Sequence, residues 1–355
     1  MRKLGIILAL VMLAVPSFLF ARGQQARDGE LVIWLIPKLT GNAFFEAAND
    51  GAQAHARAHG YTVHHVGHPV ASVAEQVRII RQAIAQGVDG ISVSSLDATA
   101  LDAAMQDAMR AGLAVTTWDA DVSGNARTVM VSQGTPDILG QMLVNMGVDA
   151  LRNRGRNPDV DVIRYVWHYS QATVADQNSW NVAGEAYIRQ RFPHWINVRP
   201  ESYFSNQDPE LALSVGQAIL QAHPDIDLII CNDSTALPGQ LQAAQNLGRS
   251  MHDVTITGFA PPNSIKPFAR AGIVERWGLW DAGMQGALGA YLAFYLARGN
   301  TIRVGDRINV PGMGIVEVLP NTVLDPAAYT SLNSGVVLLP ERVVFTIANM
   351  DNFDF

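Results

Sequence analysis

The stretch LVIWLIPKLTGNAFFEAANDGAQAHARAHGYTVHHVG (31–67) switches twice between two periodicities. LVIWLIP (31–37) is a short β-branched and aromatic run, suited to a buried strand. Phe44 to His59 follows as a helical segment that Gly60 stops, and YTVHHVG (61–67) is strand again. A strand, a helix and a strand in that order form one βαβ unit, which implies parallel pairing.

Outward from this unit the pattern repeats. Val73, Val77, Ile80 and Ile84 fall on one face of a helix ended by Gly87. VDGISVSS (88–95) is strand, Ala98–Arg110 helix and LAVTTWDA (113–120) strand. A second series follows TVMVSQG (128–134): a helix opened by Thr135-Pro136, strand 161–170, helix 177–191, strand 196–204, helix 209–222, strand 226–233 and the helix TALPGQLQAAQNLG. DVTITGFA, a helix near 262–271, IVERWGLWD (273–281), an apolar helix to Ala297 and the strand-like IVEVLP and GVVLLPERVVF complete the chain. Two similar series predict an α/β fold with two doubly wound parallel-sheet lobes.

The N-terminus reads MRKLGIILALVMLAVPSFLFARG, a basic start, an apolar run and small residues where a peptidase can cut. That is the pattern of a secretory leader, assigned to residues 1–22, and it directs the protein to the periplasm. A single cysteine, Cys231, allows no internal disulfide. Net charge −7 with scattered Lys and Arg argues against a nucleic-acid surface. His64 and His65 are adjacent in a strand and face opposite sides, so they point to an exposed edge rather than a metal site.

Ligands of open parallel sheets bind beyond the carboxyl ends of the strands. Those ends carry Lys38 with Phe44 and Phe45; Ser94, Ser95 and Asp97; Trp118, Asp119 and Asp121; Tyr169 and Ser170 leading to Asp176-Gln177-Asn178; Asn232-Asp233-Ser234; and Trp280-Asp281. Such groups hydrogen-bond hydroxyls, and the aromatic rings can cover an apolar face. Each has a plainer reading: Asp176 and Thr135 as helix caps, Lys38 as a solvated charge, the tryptophans as core. No nucleotide loop, zinc motif or nucleophile elbow is present, so capture is favoured over catalysis, with neither cofactor nor metal expected.

IPKLTGNAFF (36–45), VTTWDAD (115–121), VSQGTPDILGQMLV (131–144), TVADQNSW (173–180), DSTALPGQLQAAQNLG (233–248), GLWD (278–281) and GVVLLPERVVF (335–345) together carry a resemblance. The chain resembles the periplasmic autoinducer-2 receptors of the Lsr transport system, within the sugar-binding family of ABC importers. The resemblance implies a ligand derived from 4,5-dihydroxypentane-2,3-dione, a cyclic furanose-like polyol. It implies polar contacts from Lys38, Asp119, Asp176, Gln177 and the main chain near Pro238, with Gln240 two residues beyond. Phe44, Phe45 and Trp280 are the aromatic lining. Rhamnose receptors of the same branch share part of these patterns, so rhamnose or another deoxy-sugar or pentose is the alternative. The implied partners are the importer's permease subunits, with the receptor itself a monomer. The bilobed receptors also imply three chain crossings, near 132, 259 and 279. The first lobe would then be 29–131 plus 259–278, and the second 132–258 plus 279–355. A sugar-responsive repressor would need a helix-turn-helix where the leader stands, and an exported enzyme would return its ligand chemically altered.

Overall fold

The computed structural model describes residues 30–355; the leader assigned to 1–22 lies outside the described residues. The first βαβ unit forms as the periodicity requires. β1 (Val32–Ile36) leads into α1 (Ala43–His59), whose N-cap Asn42 accepts from the Phe44 amide and whose C-cap Gly60 adopts φ 72°. That is the left-handed conformation glycine takes without steric cost. β2 (Thr62–His65), α2 (Val73–Gln86), β3 (Gly90–Val93), α3 (Asp102–Arg110), β4 (Ala114–Trp118) and β5 (Val129–Ser132) follow.

The next elements build a second sheet. They are α4 (Pro136–Asn153), β6 (Arg164–Tyr169), α5 (Ala175–Arg191), β7 (Ile196–Asn197), β8 (Tyr203–Phe204), α6 (Pro209–Ala222), β9 (Leu228–Cys231), α7 (Ala236–Asn246) and β10 (Thr255–Gly258). α4 starts as expected, with Thr135 accepting from the Ile138 amide and Pro136 in the first turn. The strand expected over 196–204 is instead two short pieces. Pro200 offers no N–H for a ladder, and Ser202 sits at φ 60°. α8 (Pro262–Arg270) and β11 (Arg276–Leu279) complete this part, and α9 (Ala282–Ala297), β12 (Arg307–Val310), β13 (Gly314–Glu317), β14 (Leu319–Pro320), β15 (Gly335–Leu338) and β16 (Val343–Thr346) end the chain.

The seven-stranded sheet has the order β14-β15-β5-β4-β3-β1-β2, parallel apart from the β14–β15 pair. The second sheet runs β10-β9-β6-β7, with β8 also on β6 and every pair parallel. β11 and β16 pair antiparallel, and a bridge between Phe259 and Gly278 connects β11 to the end of β10.

This corrects the division of the C-terminal third. Residues 259–278 lie with the second sheet, and α9 through β15 lie with the first, the reverse of the expected assignment. Two contacts set it. β15 pairs with β5 in parallel register, Gly335 to Val129 through Leu338 to Ser132. α9, buried along nearly its whole length, packs along α1. The chain therefore changes sheets after β5, after β11 and after β15, and not near 259.

Glycines set the α1–α9 spacing. A Cβ on Gly286 would lie 2.1 Å from the Ala48 carbonyl oxygen, and one on Gly51 would lie 2.2 Å from that of Gly283. Gly286→Ala must force the helices apart, so we expect a loss of about 1–3 kcal/mol, the scale of overpacking, in urea unfolding. An unchanged midpoint would contradict this close helix contact.

Candidate functional site

Both sheets place their polar residues at the switch in strand order. In the first sheet β1 is flanked by β2 and β3; in the second β6 is flanked by β7 and β9. Loops diverge at such points and leave a crevice at the carboxyl ends. Lys38 follows β1 and Ser94 follows β3; Gln177 follows β6, and Asn232 and Asp233 follow β9. The two crevices face one another.

A small cavity lies between them, lined by Lys38, Phe44, Phe45, Asp119, Gln177 and Trp280 of the expected set. Trp180, Gln207, Asn232, Asp233 and Phe259 also line it. The lobes are bridged where Asn42 Nδ2 donates to Thr235 Oγ1 (3.2 Å) and Ser234 Oγ donates to Asn42 Oδ1 (3.3 Å).

Lys38 is no solvated charge. It is 2 % exposed, and its Nζ lies 3.0 Å from Asp119 Oδ2, which also accepts from Ser94 Oγ (2.6 Å). Burial alone would lower the lysine pKa. Asp119, with Asp176 and Asp233 of the opposite lobe, outweighs that and raises it. Asp119 holds φ 60°, a backbone strain of the kind that gathers at ligand sites.

The second lobe supplies two further carboxylates. Asp233 is fully occupied: Oδ1 accepts from the amides of Thr235 (2.9 Å) and Ala236 (2.6 Å), and Oδ2 from Gln177 Nε2 (3.1 Å) and Gln207 Nε2 (2.8 Å). Burial still pushes its pKa up. Asp176 is not the helix cap: Val174 holds that position without a side-chain bond, and Asp176 lies in the first turn of α5. Its Oδ2 accepts from Gln133 Nε2 (3.2 Å), while its buried Oδ1 has no partner. Burial raises its pKa to about 7, opposed by Lys38 and reinforced by Asp119. Asp176 lines a larger neighbouring groove rather than the small cavity, yet lies near enough to Lys38 for their charges to interact.

Gln177 lines the cavity with its amide engaged, Oε1 accepting from Ser170 Oγ and Nε2 donating to Asp233. Asn232 donates Nδ2 to the Gln177 carbonyl (2.8 Å) and keeps a buried, unpartnered Oδ1. Trp280 forms the apolar wall, edge-on to Phe44 (5.9 Å between centroids), Trp180 (5.8 Å) and Phe259 (5.4 Å).

Besides Asp176, two expected residues lie outside the cavity. The Gln240 side chain is turned into the second lobe, where its Oε1 meets His168 Nδ1 (3.1 Å) and its Nε2 donates to the Gly216 carbonyl (3.3 Å). His168, pushed down to about 4 by burial, is the neutral partner there. Pro238 sits half-buried in the first turns of α7 and does not line the cavity. On β2, His64 is exposed and His65 stands 3.8 Å from Glu46.

Two of the unforeseen lining residues carry weak sequence signals. Trp180 lies one turn after Gln177, and Phe259 directly follows β10, so the strand-end rule reaches both. Gln207 comes from a loop with left-handed residues (φ 52° at Asn206, 61° at Gln207), which periodicity does not register.

Two lobes with a cavity between them, Asp119 from one and Asp176 and Asp233 from the other set around one lysine, define a solute-capture protein. Residues 33–301 match the periplasmic binding protein domain, and the chain belongs to that family. It is similar to LsrB from Clostridium saccharobutylicum, solved in complex with AI-2: 58 % identity, TM-score 0.91, covering 92 % of this chain and 100 % of that one. A solute-binding protein from Clostridium phytofermentas with bound L-rhamnose shares the fold at 20 % identity and TM-score 0.82, covering 92 % of this chain and 98 % of that one. The D-ribose/D-allose-binding protein of Pseudomonas aeruginosa is 26 % identical over 82 % of this chain and 91 % of its own length. Among the described residues, no helix is long and apolar enough to cross a membrane.

Proposed function

We propose that this chain captures AI-2 in the periplasm as the binding protein of an ABC importer, closing its lobes on the ligand and presenting the closed form to the permease. The observation that carries the reading is Lys38 in a small cavity, paired with Asp119 of its own lobe and facing the charges of Asp233, which also lines it, and of Asp176 beside it. Carboxylates accept from adjacent hydroxyls, and Lys38 donates to hydroxyl or ring oxygens. Trp280 and Phe44 cover the apolar face. The high identity to a protein solved with AI-2 supports this ligand over rhamnose, whose receptor shares only the fold. A ligand gripped from both lobes shifts the population toward the closed form. The chain acts as a monomer, with Asp119 and Lys38 supplied by the first lobe and Asp176 and Gln177 by the second.

Isothermal calorimetry with AI-2, L-rhamnose and D-ribose tests the assignment. Saturable binding of AI-2, well tighter than either sugar, is expected. Tight L-rhamnose binding without a response to AI-2 would overturn it. Chemical analysis of ligand recovered after incubation should return it unaltered.

A further inference from the structure

We propose that Gln133 is the positioning residue that joins the occupied site to the hinge, aiming Asp176 at the ligand and latching the closed form. The inference rests on the ligand reading above for what occupies the site.

Gln133 lies in the first crossing, between β5 and α4, and is fully buried. Its Nε2 donates to the Asp119 carbonyl of the first lobe (3.1 Å) and to Asp176 Oδ2 of the second (3.2 Å). Its Oε1 accepts from Gln285 Nε2 (2.8 Å), in the first turn of α9 just after the second crossing. Its main-chain carbonyl accepts from Arg342 Nε (2.7 Å), and Arg342 belongs to the third crossing. All three crossings therefore meet at one residue.

The polarity of this hydrogen-bond series is determined. Trp280 Nε1 can only donate, and it donates to Gln285 Oε1 (2.6 Å). That leaves the Gln285 amide nitrogen to donate to Gln133 Oε1 and to the Val131 carbonyl (3.0 Å). Gln133 must then present its own NH₂ to Asp176. So the cavity wall at Trp280 and the second-lobe carboxylate are tied by hydrogen bonds running one way. Oδ2 of Asp176 is held as an acceptor, and its unpartnered Oδ1 is the oxygen left for a ligand hydroxyl. Because the latch takes one partner from each lobe, it is complete only when they are closed.

The charged groups around Gln133 are Asp119 and Lys38 from the first lobe, Asp176 from the second and Arg342 from the third crossing. They make its removal readable by pH. Gln133→Met keeps the length without the amide, and should weaken AI-2 binding at least about tenfold at pH 8, where Asp176 is charged, as loss of a hydrogen bond to a charged group does, and by less at pH 5. Gln133→Glu opposes a carboxylate to two acceptors; it should bind as weakly at pH 8 and recover toward pH 5, where the introduced carboxyl, once protonated, can donate to Asp176. Each affinity is taken as a ratio to wild type at the same pH. Gln133→Met binding like wild type, or a Gln133→Glu ratio constant with pH, would overturn the proposal. A general packing defect moves neither ratio with pH. Wild type alone tests the ligand: no AI-2 binding there sinks the functional reading. The latch is then judged from ¹³C carboxyl titration of the closed protein, held by whichever of L-rhamnose or D-ribose compacts wild type in small-angle scattering. The Asp176 midpoint should rise in Gln133→Met, and equal midpoints would refute the latch.

Discussion

Lys38→Met is expected to abolish capture, weakening the ligand by roughly two to four orders of magnitude. In the closed form this lysine is the cation that Asp119, Asp176 and Asp233 share, and both members of the Lys38–Asp119 pair are nearly excluded from water. Removing one partner of a buried pair leaves an uncompensated charge, at a cost of about 3–5 kcal/mol. Here the cost has an escape that a folded core lacks. The lobes can open and let water reach Asp119, which lines the cavity, so most of the loss falls on closure and affinity rather than on folding. Calorimetry should show no detectable AI-2 heat, while the ligand-free melting temperature moves by only a few degrees. Small-angle scattering should show the variant failing to compact on ligand addition. Lys38→Met/Asp119→Asn, with one carboxylate neutralised, should recover part of the lost affinity. Wild-type affinity in the single variant would remove Lys38 from the site.

How far this site can be read from residues alone depends on the range of the interactions that build it. β1, α1 and β2 are legible because their signals are local: a β-branched run, the Asn42 cap, the Gly60 stop. Lys38 and Asp119 are legible because they terminate strands, and strand ends in parallel sheets line crevices. The allocation of the C-terminal third is not. GVVLL (335–339) fits either sheet by composition, and only its register against β5, far earlier in the chain, places it. α9 has apolar residues all round and so no face that announces its neighbour. Gln240 misleads for the same reason. Its spacing from Pro238 is local, but its orientation toward His168 depends on how α7 packs over β6 and α6. Gln133 stands within a quoted motif without a role, because its partners come from four separate parts of the chain.

Asp176→Asn separates the two readings of that residue, and pH gives the sign. A residue that serves only the local fold should cost stability when changed. A carboxylate kept for a ligand should cost affinity and leave the ligand-free protein more stable at high pH. The folded carboxyl titrates near pH 7, against an ordinary value of 3.8, because burial disfavours its charge. Below about pH 4 both states are protonated and nothing is lost. Between there and pH 7 the unfolded chain gives up its proton first, so wild-type stability falls as pH rises. Above pH 7 the penalty is complete. Urea unfolding should therefore show wild type losing stability relative to Asp176→Asn from pH 5 to pH 8, with the variant the more stable at pH 8. Ligand affinity should move the other way: the amide cannot accept as a charged group does, and hydrogen bonds to charged groups contribute about 1.5–3 kcal/mol. The variant should bind AI-2 roughly 10- to 150-fold more weakly at pH 8 by that measure. Equal affinities would leave Asp176 as part of the α5 first turn and nothing more. A stability difference that ignores pH would show that its carboxylate is not carried unpaired. Both results together would move the second lobe's grip to Asn232, whose buried Oδ1 also lacks a partner.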